Sequence, residues 1–260
     1  MIPSRTQSSL AVSADGSSWF LVNASPDLRT QLMQTPGLQP AAGSGRGIPL
    51  EGVLLTNSDI DHTLGVVLLR EDDAPAHVHA TVEVQRKLGW MDELLKPMSG
   101  LCWHEPPAMP EPLLCRDGRS SGLTYEYFSL QPADSREESI AYVLTDEHTG
   151  SRVLVAPDVG GVSEQLRDQL GRVAAVFWDG TFWTGDELSR LVRGKRSAVE
   201  MGHLPLSEGG LDALAQSRAA LKVLIHLNNT NPVLLPDSAQ RHEVESRGVH
   251  VGEDGMLFDV

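Results

Sequence analysis

Apolar residues in this chain fall mostly into short runs that end abruptly in polar side chains. "SSLAVSADGSSWFLVNA" (8–24) alternates on both sides of an Asp-Gly pair and predicts a hairpin. "SPDLRTQL" (25–32) predicts a helix with Ser25 as N-cap, Pro26 at the first helical position and Asp27 at the positive end. A glycine-rich loop (38–50) leads to a short buried strand at 51–56, and "HTLGVVLLRE" (62–71) can begin a helix. "AHVHAT" (76–81) reads as a strand and "TVEVQRKLGWMDELL" (81–95) as an amphipathic helix. The proline-rich stretch 96–120 has no clear period and is expected to be irregular. A strand at "LTYEYFSL" (123–130) precedes a hairpin over 139–158, turned at the His148-Thr149-Gly150 tripeptide. Buried strands follow at 174–180 and 222–230, with helical patterns between and after them, and 250–260 reads as a closing hairpin.

Strands come first, then a helix, then a mixture. This matches neither the regular alternation of a doubly wound sheet nor the eightfold repeat of a barrel. Two mixed β-sheets flanked by helices, an αββα arrangement in the α/β class, fit the order better. The 260 residues, 40% hydrophobic, are ample for one domain over 1–260 with a sizeable core. No apolar run is long enough for a membrane span and no secretory signal opens the chain, so the cytoplasm is the expected location. A net charge of −14 argues against a nucleic-acid partner. Cys102 and Cys115 suggest neither a disulfide framework nor a cysteine-rich zinc module and are expected to be unlinked thiols.

Four strands share one design, an apolar run that ends in ligand-type side chains: "VLLTNSDIDH", "RVLVAPD", "AVFWDG" and "VLIHLNN". Such ends tend to converge on one edge of a sheet, which points to Asp61, His62, Asp158, Asp179 and His226. A fifth segment, "MGHLPLSEGG", adds His203 on a glycine-flanked turn. Each has a plainer explanation. An Asp after a strand is most often a turn former, and a lone strand-end His a hydrogen-bonded structural group. Five coincidences of one kind weaken that explanation.

"TNSDIDHTLG" (56–65) resembles the metallo-β-lactamase superfamily signature His-x-His-x-Asp-His, with Asn57 and Asp59 in place of the first two histidines and Asp61 and His62 retained. More specifically, "RTQSSLAVS", "NASPDLR", "TNSDIDHTLG", "DGTFW", "MGHLPLSEGG" and "IHLNNTNPVLL" look like the PqqB family, coenzyme PQQ synthesis protein B, in order from residue 5 to 260. The resemblance implies a metallo-β-lactamase-like sandwich. Family members usually begin with a further strand, a glycine-rich loop and a cysteine cluster resembling a structural zinc site. This chain starts at "MIPSRTQSS". It is therefore expected to lack that N-terminal strand and to hold no structural zinc.

Asn57 is a poor ligand and Asp59 a hard one, so the superfamily's three-histidine zinc position is not expected to form. Asp61, His62 and His226 remain. Two imidazoles and a carboxylate match the facial triad of non-haem Fe(II) oxygenases, with Zn2+ possible in iron's place. The resemblance puts Asp158 where the superfamily often has a bridging carboxylate and likens His203 to a proton-handling histidine or further ligand. Asp179 is a candidate partner for a ligating imidazole, or alternatively a cap of the following "DELSR" turn. The function implied is an Fe- and O2-dependent hydroxylase of the tyrosine ring in a Glu-Tyr-derived precursor of pyrroloquinoline quinone (PQQ), alongside other proteins of that pathway. The alternatives are a carrier helping PQQ reach the periplasm and a divergent zinc hydrolase. Against a carrier, a tricarboxylate ligand needs several cations, and only Arg29 and Arg70 are candidates. The pair His77 and His79 in "HVH" shares one strand face, which usually signals cross-strand contacts rather than metal.

Overall fold

The computed structural model describes residues 4–40, 47–71, 74–133, 135 and 138–260. The chain forms two compact units, one of Thr6–Tyr127 with Asp146–Thr149, the other of Phe128–Thr145 and Gly150–Val260 with Arg5.

The N-terminal unit is organised by a sheet of β1 (Leu10–Val12), β2 (Trp19–Val22), β3 (Leu50–Leu54), β4 (Ala76–His79) and β5 (Leu101–His104), in that spatial order. β1 pairs antiparallel with β2, and the remaining pairs are parallel. The Asp-Gly hairpin forms because the Asp15 carboxylate accepts from Ser17 N at 2.8 Å and Ser18 N at 2.7 Å. Four helices accompany the sheet: α1 (Leu28–Gln34), α2 (Ile60–Thr63), α3 (Val82–Lys87) and α4 (Gly89–Leu95). Leu21, Leu28, Val53, Val78, Val84 and Met91 pack together in its core. Each such side chain contributes roughly 1.5–3 kcal/mol when fully buried.

Several expectations shift here. The helix predicted from Ser25 begins at Leu28, because Ser25 Oγ accepts from Asp27 N at 3.2 Å in a preceding turn while the Asp27 carboxylate accepts from Gln7 N. The helix predicted over 62–71 is α2 for a single turn and then a 3-10 helix, Leu64–Glu71. The long helix over 81–95 is two short ones, α3 and α4, meeting at Leu88. The stretch 96–120 is not irregular throughout, since β5 and β6 (Glu111–Leu114) lie within it. Pro106, Pro107 and Pro110 fall between these strands, and Pro112 sits on an edge strand, where a missing N–H is tolerated. Of the loop predicted over 38–50, residues 41–46 lie outside the described residues, as does the side chain of Arg70.

β6 pairs antiparallel with β7 (Ser120–Ser129), whose last residues, from Phe128, belong to the C-terminal unit. There the strands are β8 (Ile140–Asp146, up to Thr145), β9 (Arg152–Ala156), β10 (Ala175–Asp179), β11 (Leu221–Ile225) and β12 (His250–Val251), in the spatial order β12-β11-β10-β9-β8. β8 and β9 are antiparallel and β9 to β12 parallel. The accompanying helices are α5 (Glu164–Leu170), α6 (Glu187–Leu191), α7 (Gly210–Ala215) and α8 (Ala239–Ser246). Ser163 and Ser238 cap α5 and α8 by accepting from Leu166 N and Arg241 N. Trp178, Leu154, Val176, Leu166, Leu211 and Val244 form this unit's core. The predicted closing hairpin is absent among the described residues. Only His250 and Val251 form a strand, and they pair parallel with β11 rather than with the residues that follow.

Candidate metal centre

In the N-terminal unit, β3 gives way to a loop and α2, and this short helix carries both Asp61 and His62. Gly65 permits the tight path beyond it. Its N–H donates to Ala24 O, and a Cβ there would lie 2.3 Å from Ser25 O. Asn57 and Asp59, at the positions of the missing histidines, engage each other. Asp59 N donates to Asn57 Oδ1 at 3.0 Å, and Asn57 Nδ2 to Asp59 Oδ2 at 3.4 Å. This is a turn built from a side-chain amide.

His62 is buried, with Nε2 3.7 Å from Asp61 Oδ2. Its Nδ1 lies 3.1 Å from Thr56 Oγ1 and 3.0 Å from Asn23 Nδ2. Thr56 Oγ1 also lies 3.2 Å from Asn23 Oδ1. Asn23 Nδ2 also donates to Thr56 Oγ1 at 2.9 Å, so the threonine hydroxyl and the carboxamide together hold the His62 ring at its Nδ1. This is the arrangement that holds a ligating imidazole.

In the C-terminal unit the parallel register brings the strand ends level. Trp178 pairs with Ala156, and Asp179 with Ile225. Asp158 therefore emerges two residues after β9, Asp179 at the last position of β10, and His226 immediately after β11. His226 has φ 56°, left-handed backbone for a non-glycine residue. Its Nδ1 is 2.7 Å from Thr181 Oγ1, which donates to Asp179 Oδ1 at 2.6 Å. This repeats the His62 arrangement: imidazole Nδ1, threonine hydroxyl, then an amide or carboxylate oxygen.

Asp179 is buried and saturated. Oδ1 also accepts from Thr181 N at 2.9 Å, while Oδ2 lies 2.8 Å from His203 Nδ1 and accepts from Val159 N at 2.9 Å. Burial alone would raise its pKa. The His203 charge and hydrogen bond outweigh that and hold the carboxyl below the usual range, with His226 and Thr181 adding to the effect. For His203 burial opposes protonation, and the Asp179 carboxylate overcomes it, so proton affinity rises above the ordinary histidine value. Asp158, His203 and His226 each offer a ligand atom within 4.8 Å of the other two, with His226 Nδ1 3.5 Å from Asp158 Oδ1. Asp179 makes its bonds to His203 and Thr181 rather than to the helix of "DELSR", where Asp186 holds the N-cap position.

The structure thus gathers Asp158, Asp179, His203 and His226 within one unit and Asp61 with His62 within the other. Sequence reasoning did not single out Asn23, Thr56 or Thr181. All three lie inside "NASPDLR", "TNSDIDHTLG" and "DGTFW", segments in which attention falls first on charged and ring-bearing residues.

The Beta-lactamase superfamily domain matches residues 18–227. Coenzyme PQQ synthesis protein B of Cupriavidus taiwanensis is 38% identical over 265 residues, covering 97% of this chain and 87% of that protein. The Gluconacetobacter diazotrophicus protein of the same name is 38% identical, with 98% and 87% covered. Zn(2+)-bound PqqB from Methylobacterium extorquens superposes with a TM-score of 0.86 at 31% identity, covering all of this chain and 89% of that one. Two mixed sheets with flanking helices, and ligand-type residues at the strand ends, make this a metallo-β-lactamase-fold protein. Within that superfamily the chain belongs to the PqqB family, coenzyme PQQ synthesis protein B.

Proposed function

We propose that this chain acts in PQQ biosynthesis as a metal-dependent enzyme, hydroxylating the tyrosine ring of a Glu-Tyr-derived precursor. The observation that carries the reading is the pair of threonine-held imidazoles, His62 on Thr56 and His226 on Thr181, each ring fixed in place at its Nδ1. Asp61, His62 and His226 are the proposed ligands, with Asp158 a further carboxylate. The donor chemistry suits iron: two neutral imidazoles and hard oxygens, with Asn57 and Asp59 bound to each other where the superfamily's other histidines stand. When bound, ferrous iron supplies dioxygen chemistry at its open coordination positions.

The reaction replaces a ring C–H by C–OH. One oxygen atom of O2 enters the ring. The other leaves as water, formed with two protons and two electrons from an external reductant of the ascorbate class. His203 is the proposed proton-handling residue. Its raised proton affinity keeps a proton available, and Asp179 fixes its Nδ1 and stabilises the imidazolium. Among the described residues no helix is long and apolar enough to cross a membrane, and we assign the activity to the cytoplasm.

The zinc named for the M. extorquens relative favours a second reading, a zinc hydrolase. The test is anaerobic purification with elemental analysis, then incubation with iron, reductant, isotopically labelled O2 and a Glu-Tyr peptide. The expected product carries one labelled oxygen on the ring, and His62→Ala and His226→Ala each lose iron while keeping the wild-type circular dichroism. Iron retained in full by either variant, or a product whose added oxygen comes from water, overturns the proposal.

A further inference from the structure

The N-terminal unit carries a second set of donors on β4 and β5. β4 and β5 are parallel neighbours in which His77 pairs with Cys102 and His79 with His104. Side chains two apart on a strand share a face, so these four form a two-by-two patch, while Val78 and Trp103 turn the other way into the core cluster. His104 Nε2 lies 3.1 Å from His77 Nδ1. His77, Cys102 and His104 each place a ligand atom within 4.8 Å of the other two.

We propose that His77, Cys102 and His104 form a second metal site, taking a zinc-class dication. Zn–N bonds of about 2.0–2.1 Å at tetrahedral angles imply an N···N separation of about 3.3 Å, close to the one found here. Two imidazoles and a thiolate are a donor set that zinc accepts with a water in the fourth position. It is softer than the all-nitrogen-and-oxygen set proposed above for iron.

The alternative is a structural histidine cluster joined by one hydrogen bond. That accounts for His77 and His104 but assigns no role to the sulfur beside them. His79 braces the arrangement: its ring stacks on His104 with centroids 4.7 Å apart, and its Nδ1 is 2.9 Å from Tyr125 Oη. Nothing in the linear spacing of the cysteines marks the site, because strand pairing rather than a Cys-x-x-Cys motif assembles it. The expectation of no structural zinc concerned the family's N-terminal cysteine cluster, which these two cysteines lack the spacing to replace. β5 is the edge strand of its sheet, and an ion at this position ties it to β4.

The test is cobalt titration of the reduced, metal-stripped full-length protein. Among the three candidate ligand groups named above, only this one contains sulfur, so a thiolate-to-cobalt charge-transfer band reports on it independently of the site proposed for iron. The band is expected in the wild type, in Cys115→Ser and in the His62→Ala/His226→Ala double variant, and is lost in Cys102→Ser. Zinc is expected to raise the Tm of that double variant and to leave the Tm unchanged once Cys102→Ser is added to it. Absence of the band in the wild type, or its survival in Cys102→Ser, overturns the proposal. Failure of iron to bind His62 and His226 leaves this band in place, so the two readings fail separately.

Discussion

Replacing Thr181 by valine keeps shape and branching while deleting the hydroxyl between Asp179 and His226. The wild-type oxygen donates to a buried carboxylate at 2.6 Å and lies 2.7 Å from His226 Nδ1. A hydrogen bond to a charged group contributes roughly 1.5–3 kcal/mol, and an unmatched polar group costs about 1–3 kcal/mol. Asp179 Oδ1 keeps its bond from the residue-181 backbone N–H and His226 is not fully buried, so the lower ends apply. The expected destabilisation is about 2–3 kcal/mol, large against the roughly 5–15 kcal/mol of a folded domain but not ruinous. Loss of the Nδ1 acceptor also frees the tautomer of His226, and such losses lower metal affinity roughly 10–100-fold, or about 1.4–2.7 kcal/mol. Urea denaturation measures the first quantity and chelator competition with cobalt or iron the second. Thr181→Ser, which retains the oxygen, is expected to keep affinity within about threefold of wild type. If Thr181→Val loses stability yet binds metal as tightly as wild type, the hydroxyl is purely architectural and the His226 assignment loses its support.

Thr56→Val is expected to cost at least as much metal affinity as Thr181→Val. Asn23 Nδ2, 3.0 Å from His62 Nδ1, then becomes its remaining partner, favouring the tautomer with the proton on Nε2, and chelator competition reads the loss. Gly65→Ala should destabilise by at least about 2 kcal/mol, because the new Cβ meets backbone rather than a movable side chain; a shift under about 0.5 kcal/mol in a urea melt would refute this. For Asp15, burial raises the pKa, but hydrogen bonds from Ser18 and Ser17 dominate and depress it below the ordinary aspartate value of 3.8. A carboxyl depressed on folding stabilises above its unfolded pKa and loses that contribution as pH falls through the folded one. The stability gap between wild type and Asp15→Ala should therefore be constant above about pH 5 and narrow on acidification below 3.8. A gap that does not narrow removes the charge from the explanation.

The strands were legible because their signals are local. The Asp15-Gly16 turn and the continuous apolar runs of β9, β10 and β11 carry their own pattern, and buried parallel strands have little alternative reading. β5 and β6 were hidden because prolines in the connection between them mask the short runs on either side. The late start of α1 depends on a tertiary bond, Gln7 N to Asp27, that no window of sequence contains. The same distinction holds for the chemistry. Ligand-type residues at strand ends can be read one strand at a time. The Thr56–Asn23 and Thr181–Asp179 relays bring together positions that become neighbours only through strand pairing or turn geometry, and the His77–Cys102–His104 group exists only once β4 and β5 lie side by side.

Backbone conformation gives a separate argument for the two imidazoles. Among the described residues, the non-glycine positions with positive φ are Asn23 at 62° and His226 at 56°. Each follows the end of a central strand, β2 for Asn23 and β11 for His226. Left-handed backbone costs a non-glycine residue of order 1–3 kcal/mol, and it persists where the surroundings over-determine it. Asparagine tolerates the conformation comparatively well, and Asn23 uses it to reach both Thr56 and His62 with one carboxamide. Histidine has less excuse. A turn that needed only the backbone geometry would be served better by glycine, so strain retained at residue 226 argues that the ring itself is required there. Thr181 Oγ1 lies 2.7 Å from the ring Nδ1 and 2.9 Å from the His226 carbonyl oxygen, and these close approaches hold the ring in one orientation. His226→Gly relieves that strain but also removes the ring's contact with Thr181, so the metal-free fold should change by no more than about 2 kcal/mol while metal binding is abolished; metal binding that survives the substitution would sink the assignment.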